Sequence, residues 1–244
     1  MEADGGRMEA TGHQINATRV ISQAFENYRE HAGPLLGGAL ILIGIAALLN
    51  GLLAASGSFV LVVLGSIVAL AAQFLYTGYV VKLVQDVRDG KRDQSVGELF
   101  SAAAPFLVTL ILNGILAGIA IGIGFLLLIV PGLILLTIWA VVSPAIVVEN
   151  EGVIGAFGRS RELVRGNGWP VFGAIVIAFL IVIVTQVVFG AIGAAIGDDA
   201  GRVIVGAIGQ VLVVPIAALV AAILFFDLGG GHADPAEPGP APAA

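Results

Sequence analysis

The sequence predicts an all-α fold, a polytopic membrane bundle of six transmembrane helices, and three observations carry that expectation. The first is composition: 58% of the 244 residues are hydrophobic and 11% charged, with a mean hydropathy of +1.03, whereas soluble domains carry roughly 25% charged residues. The second is the spacing of the charges. Residues 32–81, 99–148, 166–197 and 203–226 contain no Asp, Glu, Lys, Arg or His, in lengths of 50, 50, 32 and 24. Since about 20 apolar residues cross ~30 Å of hydrocarbon, the first two stretches each hold two spans. The third is the placement of Lys and Arg. Arg7, Arg19 and Arg29 precede the first span, Lys82, Arg88, Lys91 and Arg92 follow the second, and Arg159, Arg161 and Arg165 follow the fourth, leaving Arg202 alone on the other side. Positive loops are retained in the cytoplasm, so the expected setting is a bacterial cytoplasmic (inner) membrane with both termini cytoplasmic.

Residues 1–14 read as a disordered N-terminal segment, polar and without the apolar run of a cleavable signal. A six-span membrane domain over residues 15–228 follows. It opens with an amphipathic helix whose apolar face is Ala17, Val20, Ile21, Ala24, Phe25 and Tyr28, at i, i+3, i+4 spacing, and which should lie flat on the membrane. Asn16-Ala17-Thr18 matches a glycosylation sequon, but a cytoplasmic position makes the match incidental. Spans one and two are expected at 34–53 and 59–81, parted by the small, turn-prone Ala54-Ala55-Ser56-Gly57-Ser58. Ser95-Val96-Gly97-Glu98 is a capping-box pattern that starts a second, short surface helix. Spans three and four are expected at 105–129 and 131–148, with the turn near Val130 because Pro131 suits the first turn of a new helix. A third surface segment carries Val153, Ile154, Ala156, Phe157 and Val164 with the three arginines, though Gly152, Gly155 and Gly158 weaken it as a helix. Spans five and six are expected at 169–196 and 203–226, and residues 229–244, mostly Gly, Pro and Ala, as a disordered tail.

Each pair of spans thus follows a surface segment, which suggests three copies of one amphipathic-helix-plus-hairpin unit. Ala24-Phe25, Leu99-Phe100 and Ala156-Phe157 precede Pro34, Pro105 and Pro170, with the phenylalanine 9, 5 and 13 residues ahead. Those spacings differ by four, about one helical turn, so helix phase is nearly kept.

The sequence offers little catalytic chemistry. There are no cysteines, and His13, His31 and His232 all lie outside the spans without a second ligand at helical spacing. No phosphate-binding loop, nucleophile elbow or zinc-protease motif occurs, and nothing supports nucleic-acid binding or a cofactor. No Asp, Glu, Lys, Arg or His lies well inside a span, whereas proton relays and ion-coupled carriers usually need one. The intramembrane polar candidates are Asn50, Gln73, Asn113, Gln186 and Gln210. Interhelical hydrogen bonding is the plainer account of them, and a pathway for a neutral solute the alternative. Gly114, Gly118 and Gly122 form a small-residue ridge for close helix packing, internal in preference to homodimeric. Glu149 ends the fourth span and is a candidate ion-pair partner for Arg159. Arg159, Arg161 and Arg165 are candidate contacts for anionic lipid, although charge retention alone would account for them.

From Pro131-Gly132 through Trp139, Pro144 and Glu149, and again over Ala156, Arg159, Ser160, Leu163, Val164 and Gly166, the chain resembles the membrane domain associated with glycerophosphoryl diester phosphodiesterases, and the related YciC-like bacterial membrane proteins. In some members of that family the membrane domain precedes a metal-dependent phosphodiesterase barrel. No part of this sequence matches such a barrel, so the resemblance implies the membrane fold and no hydrolase activity. The reading is a non-enzymatic membrane scaffold or accessory protein that engages lipids and a membrane-protein partner, the alternative being a channel or carrier for a neutral or lipid-like solute.

Overall fold

The computed structural model describes residues 15–90 and 94–231; the N-terminal segment 1–14, Lys91, Arg92, Asp93 and the tail from His232 lie outside the described residues. The described chain is helical without strands. Its elements are α1 (Ala17–Glu30), α2 (Ala32–Ala39), a π turn (Leu40–Gly44), α3 (Ile45–Ala55), α4 (Phe59–Arg88), α5 (Val96–Ala103), a 3-10 turn (Ala104–Phe106), α6 (Leu107–Leu127), α7 (Ile129–Ile138), α8 (Val142–Glu149), α9 (Gly155–Val164), α10 (Gly168–Ile196) and α11 (Asp199–Asp227). Six of the helical runs are long and apolar enough to cross a membrane: 32–55, 59–88, 96–127, 129–149, 168–196 and 199–227.

The boundaries follow local chemistry. Asn16 caps α1 by accepting from the Thr18 N–H, and Ser95 with Glu98 forms the reciprocal capping box of α5. Gly57 takes a left-handed conformation at the first hairpin turn. The second hairpin turns at Leu128, the one extended residue between α6 and α7, two residues earlier than the turn expected near Val130, and Pro131 does fall in the first turn of α7. Two spans are longer than their apolar stretches: α4 continues to Arg88 and α11 begins at Asp199, capped by Asp198. At ~1.5 Å per residue both exceed the hydrocarbon thickness and project from it.

We call the end that carries α1, α5 and α9 the basic end. Buried side chains concentrate in that half, and α11 is the bundle's axis, with most positions from Val213 to Phe225 buried and alternate ones from Ala207 to Val211, packed against α10, α4, α1 and the first span. Large apolar residues such as Leu52, Phe59, Leu126 and Val187 are exposed along the spans, as a lipid-facing surface requires. Polar bonds lock the basic half. Tyr76 and Tyr79 on α4 are buried and donate to the carbonyls of Leu35 (2.9 Å) and Pro34 (2.8 Å) on the first span. Arg88 joins Asp227 at 2.8 Å, tying the second span to the sixth. Tyr28 donates to the Leu212 carbonyl (3.0 Å) next to the turn of α11 where Pro215 lacks the N–H that would serve Val211.

The surface helices dock in a ring. α5 packs on α4 of the first hairpin, α9 on α7 and α8 of the second, and α1 on α10 and α11 of the third. Ala24, Leu99 and Ala156 are all buried at these contacts. Phe100 stacks on Tyr79 with centroids 4.4 Å apart, and Phe157 packs on Trp139 at 4.6 Å. Phe25, in the third such place, is instead 42% exposed. The amphipathic face of α1 therefore lies against protein through Val20 and Ala24, with only its Phe25 edge turned outward.

The glycine ridge divides. A Cβ at Gly114 would overlap the Phe74 ring, while at Gly118 and Gly122 it would meet nothing within 4 Å. Gly114→Ala should therefore cost about 1–3 kcal/mol through overpacking. Gly118→Ala should be neutral or stabilising by up to ~1 kcal/mol from helix propensity. Reversible unfolding in mixed micelles measures both, and equal effects would contradict the asymmetry.

Candidate functional site

The most structured polar region lies where α9 meets the fourth span. That span is not continuous: α7 ends at Ile138, Trp139 and Val141 leave helical geometry (φ −107°, ψ 16° and φ −114°, ψ 21°), and α8 resumes at Val142. The break removes the Ile138 carbonyl and the Val141 N–H from the helical ladder. Ser160 of α9, fully buried, supplies both partners: its hydroxyl donates to the Ile138 carbonyl at 2.9 Å and accepts from the Val141 N–H at 3.3 Å.

One residue earlier on α9, Arg159 grips the end of the same span. Its Nε and Nη2 donate to Glu149 Oε2 (2.6 Å) and Oε1 (2.9 Å), a bidentate pair. The Glu149 hydrogen bond holds the Arg159 guanidinium above its ordinary pKa, with burial opposing it. Gly231, just past α11, also donates its N–H to Glu149 Oε1 at 2.9 Å. The fourth and sixth spans and α9 thus meet at one carboxylate. Gly229, Gly230 and Gly231, which open the glycine-rich tail, form the turns that deliver this N–H. Asn150 makes the reversal after α8 in the left-handed region (φ 57°), and the loop beyond it is pinned by Asn113 of α6, whose Nδ2 donates to the Val153 carbonyl at 2.8 Å.

With Arg159 committed, Arg161 and Arg165 remain. Both are exposed, neither forms an ion pair with a described residue, and both line a groove of about 680 Å³ with Ile138, Gly158, Glu162 and Gly168. Trp169, 84% exposed, stands beside it at the start of α10, where an amphipathic ring suits a membrane interface. The groove thus presents two cations over an apolar floor, with the exposed Glu162 carboxylate beside them and 3.8 Å from Arg159.

The other polar candidates are scattered. Asn50 is packed against Gly65 of the neighbouring span, its Oδ1 buried without a partner among the described residues. Gln73 is half-buried, and Gln186 and Gln210 are exposed on α10 and α11. The groove beside α9 includes none of them. Asp86 is buried on α4, apart from Glu149, and the described residues contain no cluster of three or more metal-ligating side chains. Sequence reasoning missed Ser160, visible only as part of a motif, because its partners exist only where the fourth span breaks.

A family model described as a domain of unknown function, DUF7847, matches residues 35–196. A UPF0259 membrane protein of Pectobacterium carotovorum subsp. carotovorum (strain PC1) is 38% identical over 104 residues, 42% of this chain and 41% of the relative. The chain therefore matches about two fifths of that curated relative's length. No solved structure matches. The matched region runs from the first span through the fifth and contains the broken fourth span, Glu149, Arg159 and Ser160, and the chain belongs to the DUF7847 family of multi-pass helical membrane proteins.

Proposed function

We propose that the protein is a non-enzymatic scaffold or accessory module of the bacterial cytoplasmic membrane, with both termini cytoplasmic, whose α9 groove holds the headgroup of an anionic phospholipid on the inner leaflet. The observation that carries this reading is the pair Arg161 and Arg165, exposed in one groove without ion-pair partners among the described residues. Arg159 and Ser160 fix the helix that presents them. The ten-to-one placement of Lys and Arg supports the orientation. The likeness to the membrane domain that accompanies glycerophosphoryl diester phosphodiesterases supports a lipid-facing role and adds no hydrolase chemistry.

Native mass spectrometry of the detergent-extracted protein tests it. Each arginine near an anionic surface contributes about 1 kcal/mol, so Arg161→Gln with Arg165→Gln should lower retention of an anionic phospholipid by roughly 30-fold. Retention of a zwitterionic lipid should not change. Undiminished retention in the folded double variant would remove the headgroup site and leave a scaffold whose partners are proteins.

A further inference from the structure

A second cavity lies inside the span region, between the second and third hairpins. Its volume is about 320 Å³; Ile121, Leu136 and Trp139 wall one side and Phe179, Val182, Ala217 and Ala221 the other, with Leu224 nearest the basic end. We propose that this cleft binds a long-chain lipid bearing an uncharged hydroxyl or carbonyl group, which Gln186 and Gln210 hold by hydrogen bonds within the bilayer.

Neither glutamine lines the cleft itself; each lies on the stripe of its helix that faces it, Gln186 one turn beyond Val182 and Gln210 two turns beyond Ala217. Gln186 stands four, seven and eleven residues after Val182, Phe179 and Ile175, and Gln210 seven and eleven before Ala217 and Ala221. Those spacings return to one face of a helix. Depth agrees as well. α10 and α11 pack with Gly209 at Phe189 and Gly193 at Arg202, which places the two glutamines within about 3 Å of each other along the membrane normal, at ~1.5 Å per residue. Both are exposed, and neither carboxamide bonds to any described residue. Unpaired amides facing hydrocarbon are costly, while the neighbouring outward positions hold Val187, Val188, Ile208 and Leu212. The two carboxamides are therefore placed to be met by a polar group.

The chemistry of the occupant follows from the walls. No residue lining the cleft is ionisable, so a charged headgroup would be left unpaired there. The apolar stretch of α11 between Leu224 and Gln210, about 21 Å at ~1.5 Å per residue, suits an alkyl chain. This site does not depend on Arg161 or Arg165.

Photolabelling of the full chain in lipid nanodiscs tests the inference, using two diazirine probes of equal chain length, a long-chain alcohol and the corresponding alkane. The alcohol should label the cleft-lining segments of α10 and α11 about ten-fold more than the alkane, the worth of one to two intramembrane hydrogen bonds. Gln186→Leu with Gln210→Leu, both at exposed positions, should bring the two probes to parity with helical content unchanged. Ala221→Trp, which fills the cleft, should reduce labelling by the alcohol. Equal labelling of the wild type by both probes, or a preference that survives in the double variant, overturns the proposal. So does disulfide formation between copies through Gln210→Cys, which would assign the carboxamides to a dimer interface.

Discussion

Arg159→Glu and Glu149→Arg should each lower stability by about 3 kcal/mol, because breaking a largely buried ion pair leaves its other member uncompensated. The pair is bidentate, with side-chain exposures of 29% for Arg159 and 15% for Glu149, so solvent screens it only partly. Reversing both charges together should recover part of the loss and no more. Gly231 donates its N–H to Glu149 Oε1, and an arginine at position 149 cannot accept it. Partial rescue is therefore the specific signature of this geometry, since an isolated pair would be rescued nearly in full. Reversible unfolding in mixed micelles supplies the three values. Additive losses in the double variant would show that the two side chains contribute independently.

The spans, their number and most of their ends were legible in the sequence because hydrocarbon imposes a length and an exclusion of charge that few other environments do. The capping box at Ser95 and Glu98 and the turn at Ser56-Gly57 were legible for a different reason, as local backbone chemistry needs no knowledge of tertiary contacts. The surface helices were harder. The apolar stripe of α1 has the pattern of a helix lying on lipid, yet Val20 and Ala24 face α10 and α11, and periodicity cannot distinguish lipid from protein as the apolar partner. Glu149 and Arg159 could be paired on paper because one ends a span and the other opens the next helix. The separate fates of Arg159, Arg161 and Arg165 could not be read, because they depend on which face of α9 meets the broken span. Asn113 illustrates the same limit. It lies in an apolar run, and its partner is a loop carbonyl, Val153, rather than a neighbouring span. The glycine ridge is regular in sequence, but only Gly114 has a ring against it.

Ser160→Val should cost about 2–4 kcal/mol, from one donor and one acceptor left unpaired in a buried site. The Ile138 carbonyl and the Val141 N–H have no helical partners at the break, and the hydroxyl serves both. In water-filled surroundings solvent would replace it; here the position is fully buried. Ser160→Thr keeps the hydroxyl and adds a methyl group, so it should cost less than Ser160→Val, and that ordering separates the bonds from the packing. Hydrogen exchange at the Val141 amide gives a second readout, rising in Ser160→Val and Ser160→Ala and remaining slow in Ser160→Thr. Arg159 and Ser160 are adjacent and grip the same span, so their losses should not add. The consequence extends to the groove. Arg161 and Arg165 are positioned by the turn of helix that Ser160 holds, and Ser160→Ala should weaken anionic-lipid retention with both arginines intact. Full retention alongside fast exchange at Val141 would mean that the groove keeps its shape without the bridge, and that the serine serves the span alone.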